Sequence, residues 1–490
     1  MLLRTAQICY GAALITLPWV GVGTIHLLTG RDLGAGLQPS WLLLAVATVC
    51  LALDLLRRGE WRRLTSGLGL ADLPGWWRWA VPVAGGVLLV SALGIVLAPV
   101  NESPSTVWMR FFKQLLQAAI MGAFVLWPAL WTRGRGRWHW TVELLTIGLL
   151  LQLGYSLLQG IHYFRPLDLM TYLERIFTSN PAILSGSEQL YLGHAFRDIP
   201  RLRGTVCEPL YLGNYLLMVL PWLLLRRAGR GAKLIGLAGV LLLVLTWSRG
   251  AWLGAGVALM VALILKPRID GAPSGRDRPH GGARVWPWWA WCLALAVGVV
   301  LLVWQRDLLL LPLQRILQSL DRTDWSNLTR IYSMQAAWRA FLLSPVVGVG
   351  WGQFPWHFPL LVDPMGLQSQ FTWPVVNNFY LQILCETGVL GLLLLTLFVL
   401  DLGRSMLKKV LGIGTATDRR VTLAAAVAAV GVWSQLMTFS QYNLPHIWLT
   451  VGLCLAALKD DEVPAGACEE GTGSSPTTPP IRSRGNREGD

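Results

Sequence analysis

Stretches of mostly apolar residues, each near the roughly 20 that a helix needs to cross a bilayer core, recur from the start of the chain to about residue 458. They predict membrane spans near 8–28, 41–56, 79–98, 111–131, 140–160, 209–225, 232–247, 251–265, 286–304, 377–403, 421–440 and 445–458. About twelve helices make an all-α polytopic integral membrane protein, with one bundle over residues 1–460. The stretch from Ile8 to Leu28 is too long for a signal-peptide core and has no small-residue cleavage site where one is expected, so it reads as a retained first span. The tail 461–490, rich in Gly, Ser, Thr, Pro and charge, reads as a disordered cytoplasmic tail. No internal repeat is visible.

The basic residues alternate with the spans in a way that sets orientation. With the N-terminus in the cytoplasm, the clusters Arg57/Arg58/Arg62/Arg63, Arg133/Arg135/Arg137, Arg226/Arg227/Arg230/Lys233, Lys266 to Arg284 and Arg404/Lys408/Lys409/Arg419/Arg420 all fall inside. The short opposite loops at 30–40, 99–107 and 441–444 hold a single Arg31. This asymmetry predicts both termini in the cytoplasm. Two long loops, 161–208 and 305–376, then lie outside, in the periplasm. Each has aromatic and apolar content of its own. The second contains an amphipathic stretch from Asn327 to Leu343, with Ile331, Met334, Ala337, Trp338 and Phe341 at helical spacing.

Composition narrows the class further. Hydrophobic residues make up 54% and charged residues only 14%, against about a quarter charged in soluble domains, which excludes a soluble enzyme and a disordered chain. The net charge of +14 lies in short clusters between spans, a topology signal that argues against nucleic acid as a partner. Of 26 Trp, many sit at the ends of apolar runs, as an interfacial belt requires. The seven Cys include no CxxC pair, and Cys9, Cys50, Cys292, Cys385 and Cys454 lie inside apolar stretches, so they read as small hydrophobes and not as a disulfide framework.

Polar groups at the outer ends of spans carry the functional information. Arg249, in "LTWSRGAWLG", lies between two apolar runs of about fifteen residues. Fifteen residues rise only about 22 Å, short of a core of about 30 Å. This places Arg249 below the surface, where it needs a cavity, a partner or a path to lipid phosphates. Glu208 precedes Pro209 at the start of a span, and Glu208, Tyr211 and Tyr215 fall on one helical face, with Arg201 and Arg203 just upstream. A helix-start carboxylate that complements the helix dipole is the plainer reading. In "VVNNFYLQILCETGVLG", Asn378, Gln382 and Glu386 form a polar stripe, which lines either a cavity or a helix contact. Arg330 and Arg339 mark the amphipathic stretch, followed by Gly348, Gly350 and Gly352 in "SPVVGVGWGQF". Guanidinium groups bind phosphates through paired hydrogen bonds, while amides and aromatic rings suit sugars. Together these residues suggest a site for an anionic, sugar-bearing lipid.

The segments "RGTVCEPLYLGNYL", "LTWSRGAWLG", "RIYSMQAAWRAFLLSPVVGVGWGQF" and "NNFYLQILCETGVLG" resemble, in that order over residues 200–405, the O-antigen ligase and O-antigen polymerase family of bacterial membrane glycosyltransferases. The resemblance implies a C-type membrane glycosyltransferase fold in the inner membrane. It also implies transfer of a glycan from undecaprenyl pyrophosphate to an acceptor glycan or lipid at the periplasmic face, with no cofactor, nucleotide sugar or metal. A chain-length regulator and membrane lipid are the implied partners. Arg249 and Arg330 fall where the family holds its pyrophosphate, and Arg203, Tyr211, Tyr215, Asn377, Asn378, Gln382 and Glu386 are the associated substrate-binding candidates. Ligases usually carry a His at the position of Asn377, and Asn cannot act as a base. The Glu208-Pro209 pair is closer to the polymerase branch, which makes Glu208 the candidate to activate the acceptor, with His194 and His357 in reserve. A ligase, a protein O-oligosaccharyltransferase, a polyprenol-glycan flippase and a non-catalytic assembly protein are the alternatives. A flippase would usually show repeated halves and charges spread through several spans, and neither feature is present.

Overall fold

A computed structural model describes residues 1–22, 38–59, 80–100, 102–131, 135–177, 200–225, 229–270, 314–318, 325–363, 365, 374–412 and 416–459. The expected span 286–304, the tail 461–490 and His194 lie outside these residues. The regular elements are helical: α1 (Leu2–Ile15), α2 (Pro39–Arg57), α3 (Ala80–Leu97), α4 (Pro104–Trp131), α5 (Arg135–Phe164), α6 (Asp168–Phe177), α7 (Pro209–Leu224), α8 (Arg230–Leu245), α9 (Arg249–Asp270), α10 (Trp325–Leu343), α11 (Phe354–Leu361), α12 (Phe379–Leu411), α13 (Ala416–Gln435) and α14 (Pro445–Lys459). Among the described residues, six helices are long and apolar enough to cross a membrane: Pro39–Arg57, Pro104–Pro128, Trp138–Phe164, Arg249–Ile269, Phe379–Leu411 and Asp418–Thr438. Four shorter apolar helices accompany them, Leu2–Ile15, Gly85–Leu97, Pro209–Leu224 and Pro445–Leu458. The chain is therefore a polytopic all-α membrane protein, and among the described residues six helices meet the length criterion, fewer than the twelve spans expected. The first span is displaced from 8–28 because α1 ends at Ile15. Pro18 follows, and a residue before proline is pushed out of the helical region.

Exposure separates helices that face lipid from those that do not. α2, α8 and α9 leave Leu42, Val49, Leu53, Leu234, Leu237, Leu241, Leu259 and Leu263 exposed, an apolar outer face that suits lipid. α7 is apolar around its whole circumference, and 14 of its 16 residues are buried. It is the central helix, packed against α5, α8, α9, α13 and α14. A polar knot fixes it there. Asn214 Nδ2 donates to Val432 O and Gln435 Oε1, both at 3.2 Å, Asn214 Oδ1 meets His446 Nε2 at 3.0 Å, and Gln435 Nε2 donates to Leu210 O at 2.9 Å.

The two ends of the bundle are built differently. At one end, Lys409 Nζ donates to the last carbonyls of α14 (Ala457 O, 2.6 Å), and Arg419 donates to Val410 O and Arg268 O, each at 3.0 Å. Cations at helix C-termini complement the dipole. The N-terminal ends of α7, α9 and α12 occupy the other end, together with α10.

α12 is two helices in line. Gly388 has φ 66° and ψ −169°, which interrupts the ladder after nine residues. The segment 345–350 is inserted into the gap: Val349 and Gly350 N–H donate to Cys385 O (2.9 Å) and Glu386 O (3.0 Å), while Val389 and Leu390 N–H donate to Pro345 O (2.9 Å) and Val346 O (3.3 Å). Four backbone groups freed by the break thus find partners in this loop, as a membrane environment demands. A methyl group on Gly348 or Gly388 would collide with the opposing backbone, which is why both sides of this crossing are glycine.

Candidate active site

The site is built where α7 and α9 begin. Residues 201–208 run across the end of the bundle, pinned by Leu202 N–H to Leu245 O at 3.0 Å. Gln159 Oε1 accepts from Arg203 N (3.3 Å) and Gly204 N (2.9 Å), and Gln152 Oε1 accepts from Thr205 N (3.0 Å). This run ends at Glu208, in extended conformation directly before Pro209 at the first position of α7, where a missing N–H costs nothing.

Beside it, the turn between α8 and α9 is strained. Trp247 has φ 50°, an outlier for a bulky side chain, and Ser248 Oγ then accepts from Ala251 N at 3.4 Å to cap α9. Arg249 is the first residue of α9. A cation at the positive end of a helix dipole is unfavourable, so this placement calls for a compensating anion or acceptor. Arg249 Nη2 donates to Asn327 Oδ1 on α10 at 3.0 Å, and Asn327 Nδ2 donates to Gln318 O at 2.8 Å. Gln318 Oε1 accepts from Arg315 Nη1 at 2.8 Å.

Arg201 gathers this group: Arg249, Arg315, Arg330 and Glu208 all act on it, and Arg330 and Arg201 act on Glu208. Arg201 is held down to about 10 by its burial and by Arg315, Arg330 and Arg249, while Glu208 opposes the shift. Burial pushes the Glu208 carboxyl up, and Arg330 and Arg201 oppose it. Guanidinium forks at the N-termini of two helices have the chemistry that suits an anion.

Asn377 stands at the edge of the cluster. Its φ of 58° is a left-handed conformation that Asn tolerates, and its Nδ2 donates to Ser333 Oγ at 3.2 Å, one turn along α10 from Arg330. Ser333 Oγ also meets Val376 O at 3.1 Å, which fixes α10 to the start of α12, and Asn378 Oδ1 caps α12 by accepting from Leu381 N at 3.0 Å.

The structure therefore joins Glu208, Arg249 and Arg330 and adds Arg201 and Arg315. Other expected residues are engaged elsewhere. Arg203 is buried in an ion pair with Glu174 and donates to Val206 O at 2.8 Å, so it shapes the 201–208 run and is not open to a ligand. The face expected at Glu208, Tyr211 and Tyr215 is closed, because both tyrosines are packed into the core. Gln382 and Glu386 point at the glycine loop, where Glu386 accepts from Phe354 N (3.3 Å), Gln382 Nε2 (3.2 Å) and the Gly352 amide. Arg339 donates to Leu361 O at 2.6 Å and ties α10 to α11. His357 is buried in α11, and burial pushes its imidazole down to about 4, so it is neutral. Arg315 and Asn327 were not foreseen. Both lie in the second long loop, and only a charged or amide residue in that loop could have signalled them.

Residues 234–396 of the 490 match a family described as O-antigen ligase. That stretch contains three of the four segments on which the resemblance rests, together with Arg249, Arg315, Arg330 and Asn377. No curated protein shows significant similarity to the chain. The match supports membrane glycan processing of the O-antigen ligase and polymerase type, a family whose substrates are lipid-linked glycans.

Proposed function

We propose that the protein is a polymerase of undecaprenyl-pyrophosphate-linked oligosaccharide units in the bacterial inner membrane. On this reading it has the C-type fold, about twelve spans, both termini in the cytoplasm and the arginine cluster facing the periplasm. The observation that carries the reading is the gathering of Arg249, Arg315, Arg330 and Glu208 about Arg201 at one end of the bundle. The guanidiniums hold the pyrophosphate and stabilise the charge that grows on it as it leaves. The bond between the donor's anomeric carbon and the pyrophosphate oxygen breaks, and the oxygen keeps the electron pair. An acceptor sugar hydroxyl bonds to that carbon and gives its proton to the Glu208 carboxylate. Asn377, which cannot take a proton, would orient the acceptor or the α10–α12 contact.

The test is purified protein in nanodiscs with lipid-linked repeat units and no nucleotide sugar. A ladder of longer lipid-linked glycans is expected. Transfer of single units to a lipid acceptor would point to a ligase, and movement of intact lipid without new bonds would point to a flippase.

A further inference from the structure

A cavity of about 240 Å³ lies at the C-terminal end of α5, walled by α6 and residues 200–203. Arg201 belongs to this cavity and to the arginine cluster at once. Its Nε is buried and, among the described residues, has no hydrogen-bond partner. Arg201 is thus the residue that the cavity and the cluster share.

Its walls are preorganised. Glu174 Oε1 accepts from Gln159 Nε2 at 2.8 Å and from Tyr155 OH at 3.1 Å, and Gln159 Nε2 also reaches Gly204 O at 3.1 Å. His162 supplies a directed donor: its Nδ1 accepts the Leu167 N–H at 2.8 Å, so a neutral ring carries its proton on Nε2. Tyr163 and Leu202 contribute apolar surface, and Met170 packs behind it. Donors, carboxylate oxygens and apolar patches on the walls of a small cavity suit a polyhydroxylated ring. The volume is below the roughly 300–1,000 Å³ of drug-sized pockets, enough for one ring but not an oligosaccharide. An isoprenoid chain would fit poorly, because it would set the polar wall of Gln159, His162 and Glu174 against hydrocarbon.

We infer that this cavity receives the first sugar of the lipid-linked donor, the ring bonded directly to the pyrophosphate, with Arg201 spanning phosphate and sugar. The inference rests on the pyrophosphate reading of the cluster. A neutral hydrogen bond is worth roughly fivefold in affinity, so the sugar should tighten binding by about that factor or more.

The test compares binding of undecaprenyl pyrophosphate with that of the same lipid carrying one glucose, galactose or N-acetylglucosamine, using the full chain in detergent. Wild type should bind at least one glycosylated lipid about fivefold or more tighter than the bare lipid. His162→Ala, and Met170→Phe, which fills the cavity, should each remove that preference while leaving bare-lipid affinity within about twofold. Intact bare-lipid binding also shows that the variant is folded. A preference that survives in the variants, or no preference in wild type, would overturn the inference alone. Failure of wild type to bind the bare lipid would overturn the pyrophosphate reading and this inference with it.

Discussion

Gly388→Ala would test the insertion of the glycine loop into α12. At φ 66° and ψ −169°, Gly388 occupies a region that is essentially restricted to glycine, and forcing another residue there costs about 1–3 kcal/mol. The added methyl would also run into the Val346 carbonyl and the Val347 amide. Overpacking of that kind typically costs about 1–3 kcal/mol more. The loop could relieve the clash only by withdrawing, which would break backbone hydrogen bonds at Val349, Gly350, Val389 and Leu390 and leave their partners unsatisfied. A loss of about 2–6 kcal/mol is therefore expected. Gly403→Ala is the control on the same helix: no atom lies within 4 Å of the added carbon, and helix propensity favours Ala by roughly 0.5–1 kcal/mol. Unfolding of the two variants in mixed micelles with increasing SDS should move in opposite directions from wild type. A Gly388→Ala protein as resistant as wild type would show that the two halves of α12 are not held apart by this loop.

Arg249→Lys keeps the charge but loses the two-pronged contact, and should lower turnover about tenfold or more while the protein still inserts; near-normal turnover would show that charge alone matters there. Glu208→Gln should lower turnover by about 10²- to 10⁴-fold, whereas Asn377→Ala should cost only about fivefold, and the reverse order in the same assay would remove Glu208 as the base. Because burial raises the Glu208 carboxyl, the base is protonated at low pH, and wild-type activity should rise with pH above the usual carboxylate range. Activity should fall again near pH 10 as Arg201 loses its proton, and the acid limb alone should vanish in Glu208→Gln. In a cysteine-free background, Cys introduced at Ser187 or Ser369 should react with an impermeant thiol reagent from the periplasmic side; protection of both would sink the proposed orientation.

The hydrophobic pattern revealed the helices well, because lipid-facing and core residues are both apolar and their runs stand out. It overran at the N-terminus, where Pro18 ends a run that hydropathy alone would continue. The break in α12 was only half visible: the glycines at 348, 350 and 352 announced a turn, but nothing local shows that it would be inserted at Gly388, some forty residues on. Arg249 was readable because depth made it expensive. Arg203 and Arg201 are two residues apart and indistinguishable by type, yet one pairs with Glu174 and the other faces the cluster, a choice made by the fold of 200–208. Arg315 had no comparable signal, since an arginine in an outer loop needs no explanation until the loop folds back.

An arginine cluster that binds an anion holds its cargo by charge, and charge does not vanish when the reaction is over. On the proposed reading, the departing undecaprenyl pyrophosphate carries more negative charge than the donor did, because the oxygen that held the sugar is now ionised. Arg201, Arg249, Arg315 and Arg330 should therefore grip the spent lipid more firmly than the loaded one. The step that frees the enzyme for another cycle is then escape of the lipid, and its pace should depend on salt and on whatever removes the used carrier from the membrane.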